Sequence, residues 1–299
     1  MLTTGPLPQL AMYPPVFIDA SLARFVRRAY FKRLTDEWGE SGKLLKKAQQ
    51  RNLNFGRRIK TDKALNDCTQ NFERILGAML PISSIRLDAK SRSAHVFLSL
   101  LPEPVPCAAT VNSNATVRAI MLLRPSGLMD RTTGVVISGH AVDRVIQRCQ
   151  LIELPISNTD MQAIHAEFAD ALPLACLACS VLEQRDAECG DAESINVLLP
   201  SAHGVFLANW VAQTKQLLVK TFVDRRQLLE SQLQAVQDIA RIGDGQVAAH
   251  ILDAIAPGWL KLAQHDINAS LLEAWRHCGW RFDIERLHPG MSDAAWLLH

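Results

Sequence analysis

The chain has 299 residues, of which 48% are hydrophobic and 21% are charged. That is enough apolar surface for one large domain or two small ones, and it excludes a disordered, collagen-like or coiled-coil protein. There is no run of about 18 uncharged apolar residues, so we expect no membrane span. The N-terminus lacks the basic and apolar regions of a classical signal peptide, and the chain has seven cysteines. We therefore expect reduced thiols and a cytoplasmic location.

The charge is unevenly distributed along the chain. The net charge is +2, but residues 20–63 contain 13 Lys and Arg against four Asp and Glu, a local charge of +9. The rest of the chain must then carry −7. This asymmetry is the first indication of function, because a local excess of basic residues favours an anionic partner.

The N-terminal region is predicted to be helical after an extended arm. Residues 1–19 hold four prolines and show no periodicity, which is typical of an extended segment. A helix is predicted to begin there with Asp19 or Ser21 as its cap, because apolar residues then recur at three- and four-residue steps. That apolar stripe consists of Leu22, Phe25, Val26, Ala29, Tyr30 and Leu34. Two further helices are predicted at 41–50 and 63–79, the second of them ending before a proline.

The central part of the chain changes to short apolar runs of strand length. Strands are predicted at 85–88, 94–101, 117–123, 134–138, 194–199, 204–210 and 217–224. Helices are predicted at 141–148, 159–184 (with a break or kink at Pro173), 228–242, 247–255 and 267–277. The fold class is therefore α+β, with helices packed on a central antiparallel sheet and helical extensions at both ends. We divide the chain into a basic helical region (1–80), a central α/β region (81–226) and a helical C-terminal cap (227–299).

Two of the cysteines have the spacing of zinc ligands. Cys176 and Cys179 are separated by two residues, but they lie in an apolar helical stretch rather than on the sharp turns of a structural zinc site. The favoured interpretation is a pair of small buried core residues on one face of a helix.

The central region contains the segment Ser138-Gly-His-Ala-Val-Asp-Arg-Val-Ile-Gln-Arg148. It leaves a predicted strand and enters a predicted helix. His140, Arg144 and Arg148 follow one another at intervals of four, so they share one helix face. Guanidinium groups bind and neutralise phosphate, an imidazole can move a proton, and the helix N-terminus adds positive charge. The alternative is an ordinary basic helix face that His140 caps.

The strands that follow carry the remaining candidates. His203 lies in the loop that enters the strand at 204–210, whereas Lys220 and Thr221 lie within the last predicted strand. Successive side chains of a strand point to opposite faces, so only one of Lys220 and Thr221 can face a given cleft. A buried structural threonine is the alternative interpretation for Thr221.

Together these segments resemble the RelE/BrnT-type branch of the barnase/EndoU/colicin/RelE ribonuclease superfamily. The resemblance covers residues 133–224 and rests on the Ser-x-His-Ala-x-x-Arg-x-x-x-Arg helix and on the strand Val219-Lys-Thr-Phe-Val223. Members of that group are small, metal-independent endoribonucleases, commonly toxins, with a helical N-terminal part on a four- or five-stranded antiparallel sheet. The insert between Arg148 and Ser194 is longer than the linker usual in that group.

The resemblance implies a role for each candidate. His140 would be the general acid or base, Arg144 would bind the scissile phosphate, and Arg148 would be a secondary phosphate contact. Thr221 would orient the phosphate or the 2′-hydroxyl, and His203 would be the second proton-transfer group. The ribose 2′-oxygen would attack the adjacent phosphate without a metal. No ATP- or NAD-binding motif occurs in the sequence, so we expect no cofactor.

The basic N-terminal region is a candidate surface for nucleic acid. Basic residues interleaved with aromatic ones suit phosphate contact together with base stacking. The candidates are Arg24, Arg27, Arg28, Lys32, Arg33, Lys46, Lys47, Arg57, Arg58 and Lys60. A solvated helix surface over core aromatic residues is one alternative, and a helix lying on a membrane surface is another.

Two classes of function follow from these observations. The first is a metal-independent ribonuclease, toxin- or effector-like, with RNA as its partner and a neutralising protein as a further candidate partner. The second is a non-catalytic nucleic-acid-binding or interaction protein that uses its basic helices. Convergence of His140, Arg144, His203 and Thr221 in one cleft would favour the first class, and scatter would favour the second.

Overall fold

The computed structural model describes residues 18–50, 59–77, 80–89, 92–103, 114–149, 155–189, 195–243, 250 and 265–279. In this part of the chain seven strands form one mixed sheet, and helices precede, interrupt and follow it. The strands are β1 (Ser83–Ala89), β2 (Arg92–Pro102), β3 (Ala115–Arg124), β4 (Gly127–Ile137), β5 (Asn196–Pro200), β6 (Gly204–Val211) and β7 (Gln216–Asp224). The helices are α1 (Ala20–Gln50), α2 (Asp62–Leu76), α3 (Gly139–Cys149), α4 (Asn158–Ala169), α5 (Ala171–Cys189), α6 (Glu230–Gly243) and α7 (His265–Gly279). A 3₁₀ turn, Arg225–Gln227, follows β7.

The sheet joins two antiparallel halves through one parallel pair of strands. Its order is β1-β2-β3-β4-β7-β6-β5, and β4 pairs with β7 in parallel, with Val135 opposite Leu217 and Ile137 opposite Val219. The other adjacent strands are antiparallel. The predicted α+β fold with a central sheet is therefore confirmed, with one parallel pair that the sequence pattern did not predict.

Helices cover both faces of the sheet near its centre. Most residues of β2, β6 and β7 are buried, and consecutive strand residues point to opposite faces. The buried apolar side chains form one continuous core that includes Tyr30 of α1, Phe72 of α2 and Trp275 of α7. The described helices at both ends of the chain thus share the core of the sheet.

The first helix differs from its prediction. The sequence predicted separate helices after Asp19 and at 41–50, but α1 is continuous through Gly39 and Gly42. Trp38 explains this, since it is buried beside the first glycine and donates a hydrogen bond to the carbonyl of Leu100 at 3.0 Å. Such tertiary packing outweighs the weak helix propensity of glycine.

Other boundaries also moved for local reasons. Helix α2 ends at Leu76 rather than at 79, because Gly77 has a positive φ (75°) that cannot continue the helix, and its N–H donates to the carbonyl of Glu73. Strand β4 begins at Gly127 rather than at 134, because its first half pairs with β3. This half is polar and partly exposed, so the search for apolar runs did not detect it. The helix predicted at 247–255 lies outside the described residues apart from position 250.

The long apolar helix predicted at 159–184 is broken, as expected, but nearer its start. Helix α4 ends at Ala169, and Pro173 falls in the first turn of α5, where a missing N–H costs nothing. Residues 158–188 have the length and composition of a membrane-crossing helix, yet 72% of their most apolar window is buried inside the protein. Because other parts of the chain already cover this surface, the finding agrees, for the residues that the structure describes, with the expected absence of a membrane span.

Polar and aromatic contacts connect α1 to α4. Arg33 donates hydrogen bonds to the carbonyl of Ile156 and to the side chain of Asn158. The ring of Tyr30 meets the ring of His165 edge-on, with centroids 5.9 Å apart. Burial lowers the pKa of His165 to about 4, and the positive charge of Arg33 acts in the same direction. His165 is therefore a neutral core residue at physiological pH.

This burial predicts an acid-sensitive contact between α1 and α4. Because the folded-state pKa of His165 lies below its unfolded value, its stabilising contribution is complete above about pH 6.5 and is lost as the pH falls toward 4. Between neutral pH and about pH 4, the free energy of unfolding of the native protein should therefore fall by up to about 3 kcal/mol more than that of His165→Phe. Urea unfolding of both proteins at several pH values measures it, and parallel pH profiles would contradict the prediction.

Candidate functional site

The junction between β4 and α3 is fixed on β7. The backbone N–H of Ser138 donates to the carbonyl of Val219 at 3.0 Å, and its hydroxyl donates to the carbonyl of Lys220 at 2.8 Å. The same hydroxyl accepts from the N–H of Ala141 at 3.1 Å and so caps α3. Helix α3 consequently starts at a set position beside the middle of β7.

Helix α3 then presents the predicted basic face. Val142, Val145 and Ile146 are buried in the core, as predicted. His140 is half-buried at the start of the helix. Arg144 donates to Gln147 at 3.1 Å along its own helix.

Arg148 lies at the far end of α3 and forms an ion pair with β7. Its Nε is 2.9 Å from Oδ2 of Asp224. Asp224 also binds Arg226, whose Nε donates to Oδ1 at 3.0 Å and whose Nη2 donates to Oδ2 at 2.8 Å. The pKa of Asp224 is lowered, since these hydrogen bonds and charges outweigh its burial. One carboxylate thus holds two guanidinium groups together.

His203 is held by a buried carboxylate on α4. Its Nδ1 lies 2.7 Å from Oε1 of Glu167, whose side chain is only 3% exposed while that of His203 is 54% exposed. The hydroxyl of Ser201 donates to the other oxygen of Glu167 at 3.3 Å and accepts from the N–H of Gly204 at 3.2 Å. In the tautomer that donates Nδ1–H to the carboxylate, Nε2 of the ring can accept a proton.

The start of β6 lies beside the end of β7, so the backbone of His203 is next to the arginines that follow Asp224. The N–H of Arg225 donates to the carbonyl of His203 at 2.8 Å, and Arg225 directly follows Asp224. We define the His203 site by the residues that meet here. They are Arg148, Glu167, Ser201, His203, Asp224, Arg225 and Arg226. The site contains three arginines and two carboxylates, so basic side chains outnumber acidic ones around the imidazole.

The remaining catalytic candidates lie elsewhere. His140 is eight residues before Arg148, about 12 Å away along the helix axis. Thr221 is only 2% exposed and Lys220 only 4%, both within β7. Thr221 is therefore enclosed in the core on its face of the sheet rather than open to a substrate. Arg148 is linked to His203 through Asp224 and the backbone of Arg225. No such link joins His140 or Thr221 to His203 among the described contacts.

Sequence reasoning missed Glu167. It lies 36 residues before His203, and such a separation gives no local signal. The available signal was its position on the apolar face of α4, between the buried residues Ile164 and Phe168. A carboxylate at a core position requires a hydrogen-bonding partner.

The basic residues of the N-terminal region fall into two groups. Arg27 and Arg33 are structural: Arg27 is 2% exposed and pairs with Asp143 at 3.3 Å, and Arg33 bonds to Glu37 and to the residues preceding and beginning α4. Arg27 is thus closed to a partner by burial, whereas the contact of the partly exposed Arg33 with nucleic acid stays a prediction. Five others are exposed, namely Arg24, Arg28, Lys32, Lys46 and Lys60. Arg57, Arg58 and the side chain of Lys47 lie outside what the structure describes.

The cysteine pair is buried, as interpreted. Cys176 and Cys179 are 4% and 8% exposed within α5. Burial raises the pKa of both thiols to about 12. They are core residues on one side of the helix, and their thiols stay protonated at neutral pH.

No protein-family model matches this chain, and neither a curated protein nor a solved structure shows significant similarity to it. The resemblance to metal-independent ribonucleases therefore stays a prediction that rests on the residues described above.

Proposed function

We propose that this protein is a metal-independent endoribonuclease whose proton-transfer group is His203, although the scatter of His140 and Thr221 counts against the four-residue cleft that the sequence predicted. The observation that carries the proposal is the contact of 2.7 Å between the half-exposed imidazole and the buried carboxylate of Glu167. A carboxylate so deeply buried fixes both the orientation and the tautomer of the ring. Such a pair is a common way to position a general base.

The surrounding charges support a phosphodiester as the substrate. Arg148 and Arg226 are held by Asp224, and the adjacent Arg225 is exposed. Guanidinium groups bind phosphate through paired N–H donors and stabilise the additional negative charge of the transition state. In this proposal Arg148 and His203 keep the roles of phosphate contact and proton transfer.

The proposed reaction needs only RNA and water. Nε2 of His203 takes the proton of the ribose 2′-hydroxyl while the 2′-oxygen forms a bond to phosphorus. The bond from phosphorus to the 5′-oxygen breaks, and the leaving oxygen takes a proton from water. The hydroxide so formed takes back the proton held on Nε2 of His203, which regenerates water and the neutral imidazole. The products are a 2′,3′-cyclic phosphate and a 5′-hydroxyl, and arginine side chains offset the charge of the pentavalent state.

The test is incubation of the full chain with total RNA in the presence of EDTA. We expect fragments that end in 2′,3′-cyclic phosphate, because the reaction uses the RNA's own hydroxyl as its nucleophile. Gel analysis with end-group detection measures both features. Intact RNA, or cleavage that requires Mg²⁺, would overturn the proposal.

A second candidate function is nucleic-acid binding without cleavage. The observation that favours it is the exposed series Arg24, Arg28 and Lys32, spaced by four residues on α1. Phosphate contacts of this kind depend on salt and carry no sequence information. Intact RNA together with salt-dependent binding would identify this function.

A further inference from the structure

Two contacts place the start of α1 beside the end of α3. The side-chain amide of Gln147 donates to the carbonyl of Ile18 at 3.1 Å. One turn earlier in α3, Asp143 pairs with Arg27 of α1 at 3.3 Å. The two helices therefore run antiparallel, and the residue just before α1 contacts Gln147, the sequence neighbour of Arg148. Because Arg148 belongs to the His203 site, that site and the basic helix adjoin.

The solvent face of α1 near this junction is basic and carries one aromatic ring. Arg24, Arg28 and Lys32 are exposed and span about 12 Å along the helix. Phe25 is 55% exposed, although its spacing predicted a core position. Tyr30, Phe31 and Trp38 are buried, so among the described aromatic residues of α1 only Phe25 offers an open face.

We propose that this face, made of Arg24, Phe25, Arg28 and Lys32, continues the His203 site as a track for single-stranded RNA, with Phe25 stacking on a base. This inference rests on the proposed ribonuclease function. Basic side chains follow the phosphates of a single strand, and an aromatic ring stacks on any base. An unpaired strand also gives the flexibility that in-line attack by a 2′-oxygen requires.

The chemistry of the face favours RNA over a membrane surface. A helix that lies in a membrane interface buries a broad apolar face. On α1 the apolar side faces the protein core, and Phe25 is the one large apolar residue that is exposed in its first three turns. A single ring among cations matches base stacking better than insertion into lipid.

The experiment measures binding of a labelled single-stranded deoxyoligonucleotide of about 12 nucleotides by fluorescence anisotropy. This probe has no 2′-hydroxyl, so it is not cleaved. We expect Phe25→Ala to weaken binding at least ~5-fold, and Phe25→Tyr to restore it. Lys32→Glu should weaken binding and reduce its salt dependence. Leu44→Ala is the matched control, since Leu44 is another exposed apolar residue of α1, 48% exposed.

The outcomes separate this proposal from the one on which it rests. Weaker binding by Phe25→Ala but not by Leu44→Ala supports the track, even if the chain cleaves no RNA, in which case the ribonuclease proposal alone fails. Equal binding by Phe25→Ala and the native chain overturns the track. Loss of binding to phosphatidylserine vesicles by Phe25→Ala, with oligonucleotide binding unchanged, overturns it in favour of a membrane surface.

Discussion

Replacing His203 by alanine is expected to slow RNA cleavage by about 10²–10⁴-fold, the usual effect of removing a general acid or base. His203→Asn is the sharper variant, because its amide can still donate to Glu167 but cannot take a proton. We expect it to fold normally and to cleave as poorly as His203→Ala. Initial rates on a labelled RNA, together with melting temperatures, measure both effects. His277→Ala, which removes an exposed histidine of α7, should cleave at the native rate.

Two comparisons test where the catalytic centre lies. Glu167→Gln should lower kcat with little change in KM, because Glu167 positions His203 and does not contact the RNA. His140→Ala should have a much smaller effect than His203→Ala, because His140 lies at the other end of α3. The opposite order of the two histidine variants would move the centre to the start of α3, as the sequence resemblance predicted.

The elements that the sequence predicted well are those with a strong local pattern. The three strands between Ser194 and Asp224 and the helix at 141–148 are confirmed within two residues, because each is a short apolar or amphipathic run between clear turn residues. The parallel pairing of β4 with β7 was not predicted. It joins residues about 80 positions apart, and no local pattern encodes such a contact.

The site residues also divide into those that a local pattern reveals and those that depend on long-range packing. The sequence identified His203 and Arg148 as chemically suitable residues, since residue type and spacing are local. It could not find Glu167 or Asp224, because their roles come from packing α4 and β7 beside α3. It also could not tell Arg27, which is buried, from Arg28, which is exposed. These neighbours differ only in the helix face that tertiary contacts cover.

The buried pair of Arg27 and Asp143 leads to the largest expected effect on stability. Arg27 is 2% exposed and Asp143 is 8% exposed, and they connect α1 to α3. Burial raises the pKa of Asp143 to about 6, although the charges of Arg27 and Arg24 act in the opposite direction. At about pH 8 the carboxylate is ionised, and Asp143→Ala should cost about 3–5 kcal/mol, because it leaves a buried guanidinium without its counterion.

The double variant Arg27→Met, Asp143→Leu separates a charge effect from a packing effect. Removing both charges also removes both desolvation penalties, so we expect a protein about as stable as the native one. Guanidinium unfolding followed by the fluorescence of the buried Trp210 and Trp275 measures each free energy. Glu183→Ala, which breaks the exposed pair with Lys215, should change little. A double variant as unstable as Asp143→Ala would mean that shape, rather than paired charge, holds α1 against α3. In that case the position of the basic face beside the His203 site would depend on packing alone.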